Sequence, residues 1–208
     1  MIRKLARDVV HSLTTRFAYA LSARGRVGRL VIRAFSGRFE QDTIAARVAA
    51  AIELIAAVDV RRYTKVQRLL KSVFVLRLPG RLAQYVHNSR QCQIDDGFVM
   101  DPSTTTEEIA SVLVHEATHA RLQSWGIPYE FSRQRQEHIC LNEEAAFVSR
   151  LSNSANVLAR VERLRSKESE FWDRTEERTL NASKAALQDL GLPRWFVRAI
   201  LWLGRRAA

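Results

Sequence analysis

Along residues 2 to 21, Ile2, Leu5, Val9, Val10, Leu13, Phe17 and Leu21 recur at spacings of three and four, with Arg3, Lys4, Arg7 and His11 on the opposite side. That period predicts a basic amphipathic helix. Such a helix docks on the body of a protein, lies in a membrane interface, or serves as a targeting peptide. Gly25, Gly28 and Gly37 interrupt the next stretch, around an apolar run from Leu30 to Phe35 whose state the pattern leaves open. From Gln41 to Leu70 the helical period returns through Ile44, Val48, Ala51, Ile52, Ile55 and Val58, with no proline or glycine. It predicts one long support helix, or two joined near Asp59.

The pattern then changes. Val73-Phe74-Val75-Leu76-Arg77-Leu78 is rich in β-branched and aromatic residues and stops at Pro79-Gly80, which predicts a strand. Shorter extended runs follow at Gln84 to His87 and Gln91 to Ile94. Asp95-Asp96-Gly97 then predicts a tight hairpin turn, with Phe98, Val99 and Met100 as the returning strand before Asp101-Pro102. Thr104 and Glu107 stand in capping-box relation and open a helix that runs to about Ser124, ended by Gly126 and Pro128. Further helices are predicted from Ser132 to Leu151 and from Ala155 to Arg178. After Gly191-Leu192-Pro193, a short apolar segment, Trp195 to Leu203, follows.

These elements predict an α+β fold, mainly helical, with a small antiparallel or mixed sheet before the helix that opens at Thr104. The expected organisation is a basic amphipathic segment at 1–38, a body at 39–191 and a basic aromatic segment at 192–208.

Charge sharpens this division. Of a formal net charge of +11, residues 1–38 hold nine cations against Asp8 alone, a net of +8. Residues 194–208 add Arg194, Arg198, Arg205 and Arg206, a net of +4, which leaves −1 for the middle. Cations confined to the ends argue against a nucleic-acid channel through the body and toward an anionic membrane surface met by the termini. No apolar run of about 18 residues or secretory signal is visible, so a cytoplasmic protein, peripheral on a membrane, is expected. Cys92 and Cys140 are too few for a disulfide framework and are expected to be core thiols.

Chemistry concentrates in His115-Glu116-Ala117-Thr118-His119. Two histidines at i and i+4 project side by side from one helical face, a spacing that suits one zinc ion. Glu116 between them is placed to act as general base toward a zinc-activated water. A catalytic zinc takes a third protein ligand, and the next helix offers Glu137, His138, Glu143 and Glu144.

His115-Glu116-Ala117-Thr118-His119 followed by Asn142-Glu143-Glu144-Ala145-Ala146-Phe147 resembles the gluzincin metallopeptidases in their compact, minigluzincin form. The resemblance covers about residues 70 to 151. It implies a zinc-dependent hydrolase of peptide bonds acting on a peptide or protein, with one zinc held by His115, His119 and a glutamate of the following helix. It selects Glu143, preceded by Asn142 and followed by small Ala146, with Glu144 in reserve. It also implies that the strand before the active-site helix, here Phe98-Val99-Met100, pairs with an extended substrate. The family often keeps an aspartate four residues past the ligand glutamate to hold a zinc histidine. Phe147 stands there, so the resemblance assigns the histidines no partner.

Tyr129 and His138 are the neutral types available to donate to an oxyanion. Arg150, seven residues beyond Glu143, is expected to face the site or pair with a surface acid. The alternative reading is a non-catalytic peripheral membrane or scaffold protein with a structural or degenerate HExxH; such a protein has no need of Glu116.

Overall fold

In the computed structural model, residues 22–78, 80–126 and 133–166 are described. The fold is α+β, as the pattern predicts. In chain order the elements are β1 (Ala23–Val27), β2 (Leu30–Ala34), α1 (Gln41–Val58), α2 (Val60–Leu69), β3 (Ser72–Leu76), β4 (Ala83–Val86), β5 (Gln91–Asp95), α3 (Asp96–Met100), α4 (Thr106–Ser124), α5 (Arg133–Val148) and α6 (Ala155–Arg165). The predicted helix at 2–21, the apolar segment Trp195–Leu203 and the end of the helix expected to reach Arg178 lie outside the described residues.

The five strands form one mixed sheet in the order β1-β2-β3-β5-β4. β1 and β4 are antiparallel to their neighbours, while β2, β3 and β5 run parallel. The undecided run Leu30–Phe35 is therefore the second strand. Gly28 turns the chain between β1 and β2 at a φ of +59°, and a Cβ there would stand 2.7 Å from the Tyr63 hydroxyl. Glycine meets both demands, the positive φ and the close approach. Gln67 of α2 fastens the same turn, donating to the Val27 carbonyl at 2.9 Å and accepting from the Arg29 amide at 2.7 Å.

Strand alternation sends Leu30, Ile32, Ala34, Val73, Val75, Cys92 and Ile94 to the helical side, where they join the core. α1 supplies Ile44, Val48, Ala51, Ile52 and Ile55 from one stripe. Asp59 separates α1 from α2 and caps the latter, accepting from the Arg62 amide at 3.0 Å. Two helices joined at Asp59 are thus the observed form of the predicted support. Across the other face run Arg24, Arg33, Phe74, Gln93 and Gln84 in one row of paired residues. There Gln84 donates to Gln93, Gln93 to Gln91 and Gln91 to Ser72, at 2.7, 3.0 and 3.2 Å.

Three expectations are corrected. First, Asp95-Asp96-Gly97 is no hairpin turn, and Phe98, Val99 and Met100 lie in α3 rather than in a strand. The Asp95 carboxylate caps that helix from the Phe98 amide at 3.1 Å and also accepts from the Leu78 amide at 2.6 Å. Asp96 is held by Arg38 at 2.5 Å and by the Ser36 hydroxyl at 2.7 Å. A Cβ on Gly97 would fall 2.8 Å from the Asp95 carboxylate, so glycine is needed for this closeness rather than for a hairpin. Second, the capping box of α4 is one residue later than predicted, between Thr105 and Glu108. Thr104 instead is buried, and its carbonyl accepts from Arg47. Third, the basic segment drawn at 1–38 does not stand apart from the body over its described part. Residues 23–34 are β1 and β2, so Arg24, Arg26, Arg29 and Arg33 belong to the sheet or its turn. Residues 60–94 of the body likewise carry no acid.

Among the described residues, no helix is long and apolar enough to cross a membrane.

Ile52 is fully buried between sheet and helices. Replacing it by alanine removes apolar contact and leaves a cavity, so Ile52→Ala is expected to lower unfolding free energy by about 2–5 kcal/mol. Urea titration followed by circular dichroism measures this; a loss under about 1 kcal/mol would mean that the site collapses around the gap or is not core.

Candidate metal centre

α4 is buried over most of its circumference, which suits a helix packed against the sheet side, α1 and α5 together. Ala110, Ala117 and Ala120 let its neighbours approach closely. On this helix His115 and His119 bring their Nε2 atoms to 3.2 Å from each other. A carboxylate from α5 meets them: Oε2 of Glu137 lies 3.4 Å from Nε2 of His115 and 3.7 Å from Nε2 of His119. Donors around one tetrahedral zinc stand about 3.3 Å apart, so the three atoms have the spacing of a shared ion.

Behind His115 stands Glu144. Its Oε2 is 3.0 Å from Nδ1 of His115, and its other oxygen accepts from Arg160 of α6. Arg160 also donates to the Ser111 hydroxyl at 2.9 Å. With Nδ1 turned to Glu144, Nε2 faces Glu137 and His119, where a neutral ring would present its lone pair. Orienting a ligand imidazole through its second nitrogen is the usual role of such a carboxylate. The side chains of His119, Glu137 and Glu144 are 6%, 8% and 2% exposed, so the cluster is shielded from bulk water.

Burial alone would lower the His115 pKa, but hydrogen bonds to Glu137 and Glu144 and the charges of Glu144 and Glu116 raise it to about 10. Burial pushes Glu137 and Glu144 up, but His115 and His119 outweigh it for Glu137, and His115 with Arg160 for Glu144, so both carboxyls titrate below their ordinary range. Positive charge is thus demanded at the point where the three donors meet. Glu116 behaves differently: burial raises its carboxyl, only partly opposed by His119 and His115. Its Oε2 is buried and has no hydrogen-bond partner among the described residues. A crowded N, N, O donor set, a demand for positive charge and a buried carboxylate oxygen left to be satisfied fit a divalent ion with a solvent molecule beside Glu116.

Glu143 lies elsewhere. Its carboxylate accepts from Arg62 at 3.0 Å and Arg121 at 3.1 Å, with Lys65 at 3.9 Å, which ties α2, α4 and α5 together. Arg150 is 3.2 Å from Asp59, so it pairs with an acid rather than facing the histidines. His138 is half-buried, and no hydrogen bond joins it to the site. Tyr129 lies outside the described residues. A surface hollow of about 560 Å³ along Ser36–Asp42 is lined by none of the site residues.

Of the four α5 candidates that the sequence offers, the structure brings Glu137 and Glu144 to the histidines and not Glu143, which the resemblance selects. The helical period accounts for this. Seven residues bring Glu144 back to almost the same face as Glu137, while six leave Glu143 about 120° away. Cys140, which the sequence alone assigns to the core, is also on the Glu137 face. Its Sγ lies within 4.8 Å of ring nitrogens of both histidines.

No family profile, curated protein or solved structure matches the chain.

The pH dependence of the metal-free fold follows from these shifts. His115 has a folded pKa raised above 6.5, so its contribution is whole below 6.5 and is lost as pH rises through about 10. Glu137 and Glu144 are depressed below 4.5, so theirs is whole above 4.5 and is lost as pH falls through the folded values. Chelator-treated protein should therefore have its highest urea midpoint between 4.5 and 6.5 and a lower one on each side. A midpoint that climbs steadily into the alkaline range would contradict the arrangement.

Proposed function

We propose that this protein is a zinc-dependent metallopeptidase of gluzincin type, with His115, His119 and Glu137 as metal ligands and Glu116 as general base. The observation that carries the reading is the approach of Glu137 to both histidines, 3.4 and 3.7 Å, beside a buried Glu116. Zinc bound there supplies Lewis acidity, polarising a substrate carbonyl and lowering the pKa of water.

The chain's own groups do the rest. Glu116, kept from solvent, takes the proton of the attacking water and passes it to the leaving amine. Its raised pKa suits it to both steps. Glu144 holds the proton on Nδ1 of His115 and thereby fixes the ring, while Arg160 keeps the Glu144 carboxylate charged and in place. The glutamate on a following helix that the resemblance implies is met by Glu137, and the orienting acid by Glu144. Phe147 then stands at no position that needs an acid. A purely structural metal site has no use for Glu116, which favours hydrolysis over the scaffold reading.

The substrate in this reading is a peptide or protein. Its extended backbone pairs with β4 in place of Phe98–Met100, since β4 ends the sheet and packs near α4. Peptide as substrate follows from the resemblance, because HExxH sites also hydrolyse other bonds. A cytoplasmic location, with the termini against an anionic membrane, remains the companion proposal from their charge.

Metal analysis of purified protein is expected to give about one zinc per chain. His119→Ala and Glu137→Ala should lose it, and Glu143→Ala should retain it. Glu116→Gln should keep zinc and lose cleavage of a broad peptide library. Full zinc in Glu137→Ala together with loss in Glu143→Ala would transfer the ligand role to Glu143. Library cleavage by Glu116→Gln at the wild-type rate would remove the proposed base.

A further inference from the structure

The hydrolytic reading gives Cys140 no task, yet it is the remaining metal-binding side chain at the centre. It lies one helical turn past Glu137 on the same face of α5 and is fully buried. Its Sγ comes within 4.8 Å of ring nitrogens of His115 and His119. Free cysteine in an apolar core is commonplace, but these surroundings are not apolar. Burial first, then the charges of Glu137, Glu116 and Glu144, push the thiol up. A thiolate is the softest of the donors present and suits zinc or cobalt.

We infer that Cys140 is a fourth protein donor to the metal, so that the loaded protein rests in a thiolate-ligated form whose open position is closed by its own side chain. The inference rests on the metal site proposed above and adds a latent state to it. In forming that state the S–H bond breaks, its proton is released, and a sulfur–metal bond forms, with no change of oxidation state. Opening reverses the step: the sulfur takes up a proton and leaves the ion, and the position returns to water. Two donors on one tetrahedral ion that include sulfur stand about 3.6 Å apart, so toward the histidine nitrogens Sγ has up to about 1 Å to close, the scale of a small χ1 adjustment. Four protein donors make a closed site, three an open one; here a single side chain separates the two.

Cobalt(II) reads the difference without a substrate. Wild type, Cys140→Ser and Cys92→Ser are stripped, loaded with cobalt and examined by absorption. All three should show visible d–d bands, while a sulfur-to-cobalt charge-transfer band in the near ultraviolet should appear in wild type and Cys92→Ser and vanish in Cys140→Ser. Strong d–d bands in wild type without the charge-transfer band would overturn this inference and leave the metal site standing. If wild type takes up no cobalt or zinc, the metal site itself falls, and this inference with it. Should Cys140→Ser fail to fold, X-ray absorption at the zinc edge of wild type decides: a sulfur neighbour at about 2.3 Å supports the inference, and a shell of nitrogen and oxygen alone overturns it.

Discussion

The hydrogen bond between Glu144 and His115 is the contact on which the centre depends. Without it the imidazole has no fixed direction, and its Nε2 need not face Glu137. The bond joins α4 to α5, and through Arg160 it extends to α6 and back to Ser111 on α4. Three helices are therefore set against one another by a single buried carboxylate, 2% exposed in its side chain. A carboxylate so deep is stable as an anion only with cationic partners, and here it has two. Arg160 and the His115 ring thus answer a structural need and a chemical one with the same contacts.

A second ionic cluster stands beside the first and keeps its members out. Glu143 sits among Arg62, Arg121 and Lys65, while Arg62 also holds Asp59 at the start of α2. Adjacent glutamates on α5 are thereby sorted: Glu144 to the buried histidine, Glu143 to a partly exposed basic group. Opposite charge decides where each carboxylate rests, and helix geometry decides that neighbouring residues cannot share a destination. The same cluster braces α4 from the side away from the sheet.

The charge map also changes once the chain is folded. Arginines that look terminal in sequence, Arg24 to Arg33, belong to β1, β2 and the turn between them and lie in the body of the domain. The argument that cations avoid the body thus loses its premise for residues 22–38.

Local pattern determined a good deal by itself. The apolar stripe of α1, the strand at Val73, the histidine pair at i and i+4 and Glu116 between them all follow from short-range pattern and residue type, which the fold leaves intact, while the break at Asp59 is one of two forms the pattern allows. Features that needed two choices of equal local merit were settled elsewhere. Asp95-Asp96-Gly97 suits a hairpin or a helix start, and bonds from the Leu78 and Phe98 amides, with Arg38 drawn to Asp96, chose the helix. Four side chains of one helix suited a third ligand. Only the packing of α5 on α4 turned the Glu137 and Glu144 face to the histidines and left Glu143 to the basic cluster, because a donor's role depends on which neighbour the crossing helix presents.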